Sequence, residues 1–360
     1  SKAIVNLDAY ASNLALVQQF AGANVQLIPI IKANAYGHGL EPIAQTAVKS
    51  GSKRLGVATV EEAVRLRDAG IEIPILVMMP SSREALRLFI EYNLTPILSD
   101  TSLAEILDTL ANEARRVVPV HCKIDTGMGR QGIGYDEALD TLQYIKRITN
   151  IDIQGICTHF PSADIAEDSF TQAQIKSFKQ LIKRVEKVGI PYEMAHAANS
   201  AAIVNYPDSL FDAVRPGLMC YGIWPSKTSS SLPTLRRVLR WETTVVQVRR
   251  LKPHANIGYR RTYTTRAPIQ TAILPVGYAD GYRYPLSNNA DVLIRGRRCP
   301  VRGAVSMDQI VVDVTAVPHV SYGDVATLIG VDGDLEITVE ELAEKAGTIS
   351  YDILTGIGPR

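Results

Sequence analysis

One lysine stands at the end of an apolar run, in a setting that favours a reactive amine. Residues 25–31 are predicted as a buried strand, and Lys32 follows them directly, ahead of a loop with two glycines, Tyr36 and His38. Poor hydration there makes the neutral amine accessible near pH 7, and such an amine forms a Schiff base with an aldehyde. The glycines and a helix predicted from Leu40 offer backbone N–H groups to a phosphate. Pyridoxal 5′-phosphate (PLP) carries both groups, so a PLP site and a strand-end lysine that reaches water both remain open.

A glycine-rich turn follows the fifth predicted strand. Gly127, Gly129 and Gly132 form G-x-G-x-x-G, and Asp152 follows at about the 20-residue spacing of a dinucleotide-binding fingerprint. The late position in the chain and Arg130 inside the loop argue against a pyrophosphate site. We favour the interpretation that the turn exposes Arg130 to bind a carboxylate with its planar guanidinium.

Two histidines and an arginine come at or just after predicted strand ends. His159, His196 and Arg215 would form a hydrogen-bond relay if they shared one face of the fold. Histidines satisfied by backbone groups in the core are the alternative. After Arg215, the backbone N–H groups of Gly217 and Leu218 would be available to a phosphate, as in the last loops of many barrels.

These candidates are positioned by a regular alternation of strands and helices. Eight apolar runs are predicted as strands: 25–31, 54–59, 73–79, 95–98, 117–124, 153–158, 192–196 and 212–215. The intervening stretches predicted as helices include 61–69, 82–92, 102–115, 136–148 and 171–188. Eight such units predict an α/β fold, a (β/α)8 TIM-type barrel of parallel strands, with an open doubly wound sheet as the alternative. Functional side chains collect at the carboxyl ends of barrel strands, where Lys32, Lys123, Asp125, His159, His196, Asn199 and Arg215 fall.

The pattern changes after a linker rich in serine and proline at 224–233. Short β runs follow at 241–249, 269–276, 291–295, 310–314 and 325–328, with one helix near 339–346. We therefore predict a barrel domain at 8–225 and an all-β domain at 235–360, which residues 1–7 join as a strand. Within the second domain, Tyr259 lies between a glycine and two arginines. Nearby cations favour its phenolate form, although a surface tyrosine is the alternative.

Composition limits the possible partners. With 46% hydrophobic and 21% charged residues among 360, the chain can form a large packed core. A net charge of +1 gives no general attraction to nucleic acid or anionic membrane, and no apolar run approaches the ~18 residues of a membrane span. No secretion leader is predicted. Four dispersed cysteines are predicted to be buried thiols, which suits a cytoplasmic protein, and no cluster suggests a metal site.

Five motifs together resemble the alanine racemase family from end to end. They are Lys32–Gly39, Asp125–Arg130, His196–Ser200, Val214–Gly217 and Val305–Gln309. The resemblance implies a PLP enzyme in which a barrel is joined to a C-terminal β domain, and a homodimer with shared active sites. The implied reaction is interconversion of L- and D-alanine, which supplies D-alanine for peptidoglycan. A broad-spectrum or serine racemase of the same fold is the alternative; related decarboxylases, aldolases and non-catalytic PLP-binding barrels fit less well.

The resemblance also implies a role for each site residue. Lys32 would hold PLP and act as the base on the D-face, and Tyr259 of the partner subunit would be the base on the L-face. The implied cofactor-binding residues are Lys32, Tyr36, His159, Ser200, Arg215, Gly217, Leu218 and Tyr351. Arg130 and the backbone of Met307 would hold the substrate carboxylate, and Lys123 matches a lysine that is often carboxylated. The chain departs from the family pattern at Arg260, Arg302 and Ala304, near the expected substrate entrance.

Overall fold

The computed structural model describes residues 1–226 and 232–358. Residues 227–231 of the predicted linker, and residues 359–360, therefore lie outside the described residues. The chain divides into two compact units. The larger unit comprises Leu7–Ala35 and Gly39–Arg236, and the smaller unit comprises Ser1–Asn6, Tyr36–His38 and Arg237–Arg360.

The larger unit is a barrel of eight parallel strands. The chain begins with β1 (Lys2–Val5), which belongs to the smaller unit. The strands that follow are β2 (Gln26–Leu27), β3 (Leu55–Val57), β4 (Ile75–Val77), β5 (Thr95–Leu98), β6 (Val118–Asp125), β7 (Ile133–Gly134), β8 (Ile151–Cys157), β9 (Met194–Asn199) and β10 (Ala213–Arg215). Their order is β2-β10-β9-β8-β6-β5-β4-β3, with β7 paired only to β6, and a parallel bridge between Ile30 and Gly56 closes the ring. The predicted barrel is thus confirmed, because an open sheet would have no such closure.

Helices alternate with the barrel strands. The helices of this unit are Leu7–Ala21, Leu40–Lys49, Val60–Asp68, Leu86–Glu91, Thr101–Ala114, Ala138–Lys146, Ser169–Lys187 and Ser200–Asn205, with 3-10 turns at Arg83–Ala85, Pro207–Ser209 and Leu218–Tyr221. Helix Ser169–Lys187 shows the pattern behind them: Ile175, Phe178 and Ile182 recur at helical spacing and are buried. Its first turn is capped by Asp168, whose side chain accepts hydrogen bonds from two backbone N–H groups.

The smaller unit is built mainly from antiparallel strands. They are β1, β11 (Leu239–Thr244), β12 (Gln247–Leu251), β13 (Asn256–Ile257), β14 (Tyr263–Thr264), β15 (Ile269–Leu274), β16 (Asp291–Ile294), β17 (Arg297–Pro300), β18 (Ile310–Asp313), β19 (Val325–Asp332) and β20 (Leu335–Ile337). One sheet has the order β1-β11-β19-β16-β17 with β20 beside β19, a second has β12-β15-β18, and β13 pairs with β14. Helices Val339–Ala346 and Ser350–Gly356 and 3-10 turns at Tyr259–Arg261, Tyr278–Asp280 and Tyr284–Leu286 complete it.

One predicted strand in this unit was wrong. The run 241–249 is two strands, because the chain changes sheets between them. The N–H of Val245 donates to the carbonyl of Asp324, just before β19 of the first sheet, whereas the N–H of Val246 donates to the carbonyl of Ile273 in β15 of the second. A sequence pattern that is apolar on both sides of the switch does not mark this change of partner.

Among the described residues, none of the helices combines the length and apolar character that crossing a membrane requires.

Candidate active site

Lys32 begins a left-handed turn just after the first barrel strand. Ala33, Asn34, Ala35 and Tyr36 all have φ between 52° and 53°. For L-amino acids this conformation costs roughly 1–2 kcal/mol per residue, so four in succession need support from their surroundings. Backbone strain of this kind is typical of functional sites.

Two side chains supply that support. Glu62 accepts hydrogen bonds from the backbone N–H groups of Asn34 at 3.3 Å and Ala58 at 2.9 Å. Asn34 in turn accepts the N–H of Leu40 on its side-chain oxygen and the N–H of Gly39 on its carbonyl, both at 3.0 Å. The turn is thereby fixed to helix Val60–Asp68 on one side and to the start of helix Leu40–Lys49 on the other.

Four cations gather near one neutral histidine at the carboxyl ends of the barrel strands. Burial, followed by the positive charge of Arg130, lowers the pKa of Lys32, and Glu62 opposes this shift. Burial and then the charges of Arg215, Lys123, Arg130 and Lys32 hold the pKa of His159 well below its usual range. We call Lys32, Lys123, Arg130 and Arg215 the cation cluster. A concentration of positive charge in a partly buried site suits a ligand that carries a phosphate and a carboxylate.

Arg215 is fixed in position by its two terminal nitrogens. Nη1 donates to His196 Nδ1 at 2.5 Å and to the His196 carbonyl at 3.0 Å. Nη2 donates to the carbonyls of Thr158 and Ala197 at 2.7 and 2.9 Å, and lies 3.1 Å from His159 Nδ1. Since the guanidinium only donates, His159 accepts on Nδ1 and carries its own proton on Nε2. Within residues 1–226 and 232–358, the Nε–H of Arg215 has no acceptor, so it is available to a ligand.

The glycine-rich turn is organised around a carboxylate of the protein itself. Asp125 accepts the N–H groups of Gly127, Met128 and Gly129 at 2.8–2.9 Å. These donors are the ones that a pyrophosphate would need, so the fingerprint spacing does not form a dinucleotide site. The turn instead holds the loop from which Arg130 projects.

Lys123 is a buried amine beside this loop. Its Nζ donates to the Gln131 side-chain oxygen at 3.4 Å, while the Gln131 amide donates to the Met78 carbonyl at 3.2 Å. Burial lowers the pKa of Lys123, with Arg215 and Arg130 acting in the same direction. The amine therefore lies within the electrostatic reach of both arginines of the cation cluster.

Three predicted phosphate-binding residues are brought together at the ends of β9 and β10. The buried Ser200 hydroxyl oxygen accepts the N–H of Gly217 at 2.8 Å and that of Met219 at 3.4 Å. Leu218 lies between these two donors in the chain. Asn199 caps the short helix that follows by accepting the N–H of Ala202 at 3.0 Å, which is a structural role.

The remaining predicted site residues belong to the smaller unit. The rings of Tyr36 and Tyr351 lie 5.7 Å apart at 45°. Tyr259 is 73% exposed in a turn between β13 and β14. Met307 is also exposed, and its carbonyl accepts the N–H of Ala279 at 3.0 Å.

All three sequence departures lie around the β13–β14 hairpin. Arg260 has a left-handed backbone with φ 56°, and the following arginine shares this conformation. The guanidinium of Arg302 lies 4.8 Å above the Tyr263 ring, a cation–π contact that fixes it to the β13–β14 hairpin. Ala304 lies against Gly258, where a Cβ would come within 3.1 Å of the Ala304 nitrogen.

Sequence reasoning missed several residues that shape this site. Glu62 had a usable signal, since Thr59 and Glu62 have the spacing of a capping box and form one. Asp125 was placed at a strand end without a role. Gln131 and His121 carried no signal of their own, because their partners lie on distant parts of the chain.

The barrel, the β unit and the cation cluster together define an enzyme class that binds anionic ligands at the carboxyl ends of barrel strands. Models of the alanine racemase N-terminal and C-terminal domains match residues 5–225 and 238–360. The chain belongs to the alanine racemase family of isomerases, as its motifs predicted.

Individual relatives support this assignment over the full length. A relative described as alanine racemase from Halothermothrix orenii is 42% identical over 99% of this chain and 94% of its own length. The crystal structure of alanine racemase from Bacillus anthracis with bound L-Ala-P has a TM-score of 0.92 and 33% identity, covering 99% of this chain and 92% of that one. Alanine racemase from Bartonella henselae with covalently bound pyridoxal phosphate has a TM-score of 0.88 and 29% identity, covering 99% and 98%.

Proposed function

We propose that this protein is a PLP-dependent racemase that interconverts L- and D-alanine by a two-base mechanism. The observation that carries the proposal is Lys32, an amine with a lowered pKa held in a strained turn beside Arg130. Family membership supports the alanine substrate, since relatives of this name extend over the whole chain. Four free, buried cysteines support a cytoplasmic setting, where the product would supply D-alanine for peptidoglycan.

The barrel residues fit PLP. Lys32 offers the amine, and Ser200, beside Gly217, offers its hydroxyl hydrogen to the phosphate because its oxygen already accepts the Gly217 N–H. Arg215 has one Nε–H left as a donor to the pyridine nitrogen. We assign Tyr36, Tyr351, Leu218 and His159 to the cofactor as well. When bound, PLP supplies an electron-withdrawing ring that makes the Cα proton of an amino acid acidic.

The protein's own groups then have to bind, orient and move a proton. Arg130, with the backbone of Met307, binds the substrate carboxylate and so fixes which Cα–H bond faces each base. Lys32 exchanges the proton on the D-face, which its lowered pKa favours by keeping more of the amine neutral. The partner subunit's Tyr259 exchanges the proton on the L-face, so that inversion needs no reorientation of the substrate.

Arg215 can donate a hydrogen bond to the pyridine nitrogen but cannot transfer a proton to it. Its terminal nitrogens are already committed to the protein, and a guanidinium does not give up its proton. It therefore holds the pyridine nitrogen by donation without protonating it. Lys123, close to Arg130 and Arg215, belongs to the electrostatic setting of the carboxylate site, and a carboxylated Lys123 would orient Arg130 more strongly.

The first experiment tests the attachment point and the reaction together. The purified protein is expected to bind PLP with a visible absorption band, and borohydride reduction followed by peptide mapping should place the label on Lys32. Interconversion of L- and D-alanine is measured beside L- and D-serine, and a faster rate for serine would favour the broad-spectrum alternative. A label on another residue, or no label, would overturn the proposal.

The two bases are separated by single substitutions. We expect Lys32→Ala to abolish racemisation and labelling. Tyr259→Phe should keep PLP bound but lose about 10²–10⁴-fold in the rate from L-alanine, the usual contribution of a positioned general base. The control is Tyr322→Phe, an 80% exposed tyrosine of the same unit, which should behave as the unmodified protein. Full activity in Tyr259→Phe would refute the two-base mechanism.

A further inference from the structure

Two fully buried histidines, His196 and His121, extend a chain of hydrogen bonds from Arg215. His121 has no role in the proposed reaction. Arg215 Nη1 lies 2.5 Å from His196 Nδ1, and His196 Nε2 lies 2.7 Å from His121 Nδ1. The side chains of His196 and His121 are 0% and 1% exposed. We call Arg215, His196 and His121 the Arg215 relay.

A glycine makes the second contact of the Arg215 relay possible. His121 lies on β6 and His196 on β9, and β8 runs between them. Neighbouring strands are about 4.8 Å apart, so the two rings meet only by crossing the backbone of β8. The residue of β8 that pairs with His121 is Gly155, and a Cβ there would clash with the His121 ring. A strand glycine where another group approaches closely is a specific arrangement rather than general packing.

The hydrogen bonds determine which nitrogen of each ring carries the proton. The guanidinium of Arg215 can only donate, so His196 Nδ1 accepts. Burial lowers the pKa of His121 to about 3 and that of His196 well below its usual range, so both rings are neutral. A neutral His196 with a bare Nδ1 carries its proton on Nε2 and donates it to His121 Nδ1. The other tautomer of His196 would point an N–H at Arg215 and leave two buried donors facing each other.

We propose that His121 is a positioning residue for the racemase reaction: by accepting the Nε2–H of His196 it fixes the tautomer that holds Arg215 in place. This inference rests on the proposed function, because Arg215 matters through its donation to the pyridine nitrogen. His121 touches neither substrate nor cofactor. Its effect is transmitted entirely through His196.

A matched pair of substitutions separates this role from packing. Asn and Leu have nearly the same shape, but Asn places an acceptor oxygen close to the position of His Nδ1, whereas Leu has none. We expect His121→Leu to shift the absorption band of bound PLP and to lower kcat about tenfold with little change in KM, the lower end of losses known for outer-shell partners of metal-bound histidines. His121→Asn should restore both properties most of the way.

A second measurement does not depend on how the variants fold. Side-chain ¹⁵N shifts of histidine in the unmodified protein, with and without PLP, should show His196 neutral, bare at Nδ1 and protonated at Nε2. Equal kcat and absorption in the Leu and Asn variants would show that His121 only fills space and would overturn the inference. A proton on His196 Nδ1 would overturn it too, whatever the activity. Absence of PLP binding by the unmodified protein would instead overturn the proposed function.

Discussion

Glu62 affects both the charge and the position of Lys32. It raises the pKa of Lys32 against the lowering effects of burial and Arg130, and it holds the backbone of Asn34. In Glu62→Gln the Lys32 pKa should fall further, so the neutral amine should persist to lower pH. We expect the acid limb of the rate of PLP incorporation into apoprotein to move to lower pH, and the free energy of unfolding to drop by about 1 kcal/mol.

Glu61→Gln is the control for this prediction, since Glu61 lies on the same helix turn and is exposed. It should leave the pH profile of PLP incorporation unchanged. A shift of the acid limb to higher pH in Glu62→Gln would contradict the electrostatic argument.

Asp125 positions Arg130 through the backbone. Its carboxylate accepts three N–H groups of the glycine-rich turn. In Asp125→Asn, one carboxylate oxygen is replaced by an NH₂ group, which would face a backbone N–H instead of accepting from it. A hydrogen bond to a charged group contributes about 1.5–3 kcal/mol, so the loop should loosen and KM for alanine should rise about tenfold or more. The smaller effect should be on kcat. Steady-state kinetics beside Asp152→Asn, an exposed control, checks this; a fall in kcat at constant KM would show that Asp125 acts elsewhere.

At the scale of elements, the left-handed turn after Lys32 lowers the stability of the fold but fixes the position of Lys32. Glycine adopts positive φ without steric cost, so Ala33→Gly should raise the free energy of unfolding by about 1 kcal/mol. The same change should lower racemase activity, because Lys32 would be held less firmly. Denaturant unfolding and kinetics test both parts. Ala11→Gly in helix Leu7–Ala21 is the control and should destabilise by about 0.5–1 kcal/mol; a loss of stability in Ala33→Gly would argue against strain.

The sequence predicted the strands well for a physical reason. Parallel barrel strands are buried on both faces, so each appears as an apolar run, and each of the eight runs overlaps an observed strand. Its prediction failed where the outcome depends on distant partners. No residue between Ala33 and Tyr36 is a glycine, so nothing local signals left-handed backbone there. The helix Ser350–Gly356 and the change of sheet at Val245 were missed for the same reason.

The candidate site shows the same division. Lys32 and Arg215 were predicted from their strand-end positions and Arg130 from its place in the glycine-rich turn, and the structure places all three in the cation cluster. Glu62 has the signal of a capping box, but its contact with Asn34, like the contact of His121 with His196, joins residues far apart in the chain and is encoded by no short motif. Sequence spacing therefore identifies the groups that face a ligand better than those that hold them.

At the scale of the whole molecule, the first residues of the chain belong to the unit formed by its last third. β1 pairs with β11 through four residue pairs, from Lys2 with Glu242 to Val5 with Leu239. Removing residues 1–5 should lower the free energy of unfolding by about 2–6 kcal/mol, from about four hydrogen bonds at 0.5–1.5 kcal/mol each. It should also promote aggregation, because β11 becomes an open edge. Removal of Ser1 alone is the control in denaturant unfolding and light scattering, and equal behaviour of the two chains would contradict the prediction.

The pairing of β1 with β11 has a consequence for synthesis on the ribosome. β1 is translated before the barrel strands, yet its partner strand follows only after every barrel strand has been translated. The barrel can therefore fold during translation, while β1 stays unpaired until β11 has been made. If translation pauses before β11, the nascent chain has a folded barrel and an unpaired β1. Such a strand can pair with another polypeptide, so this is the stage at which the chain is most prone to aggregate.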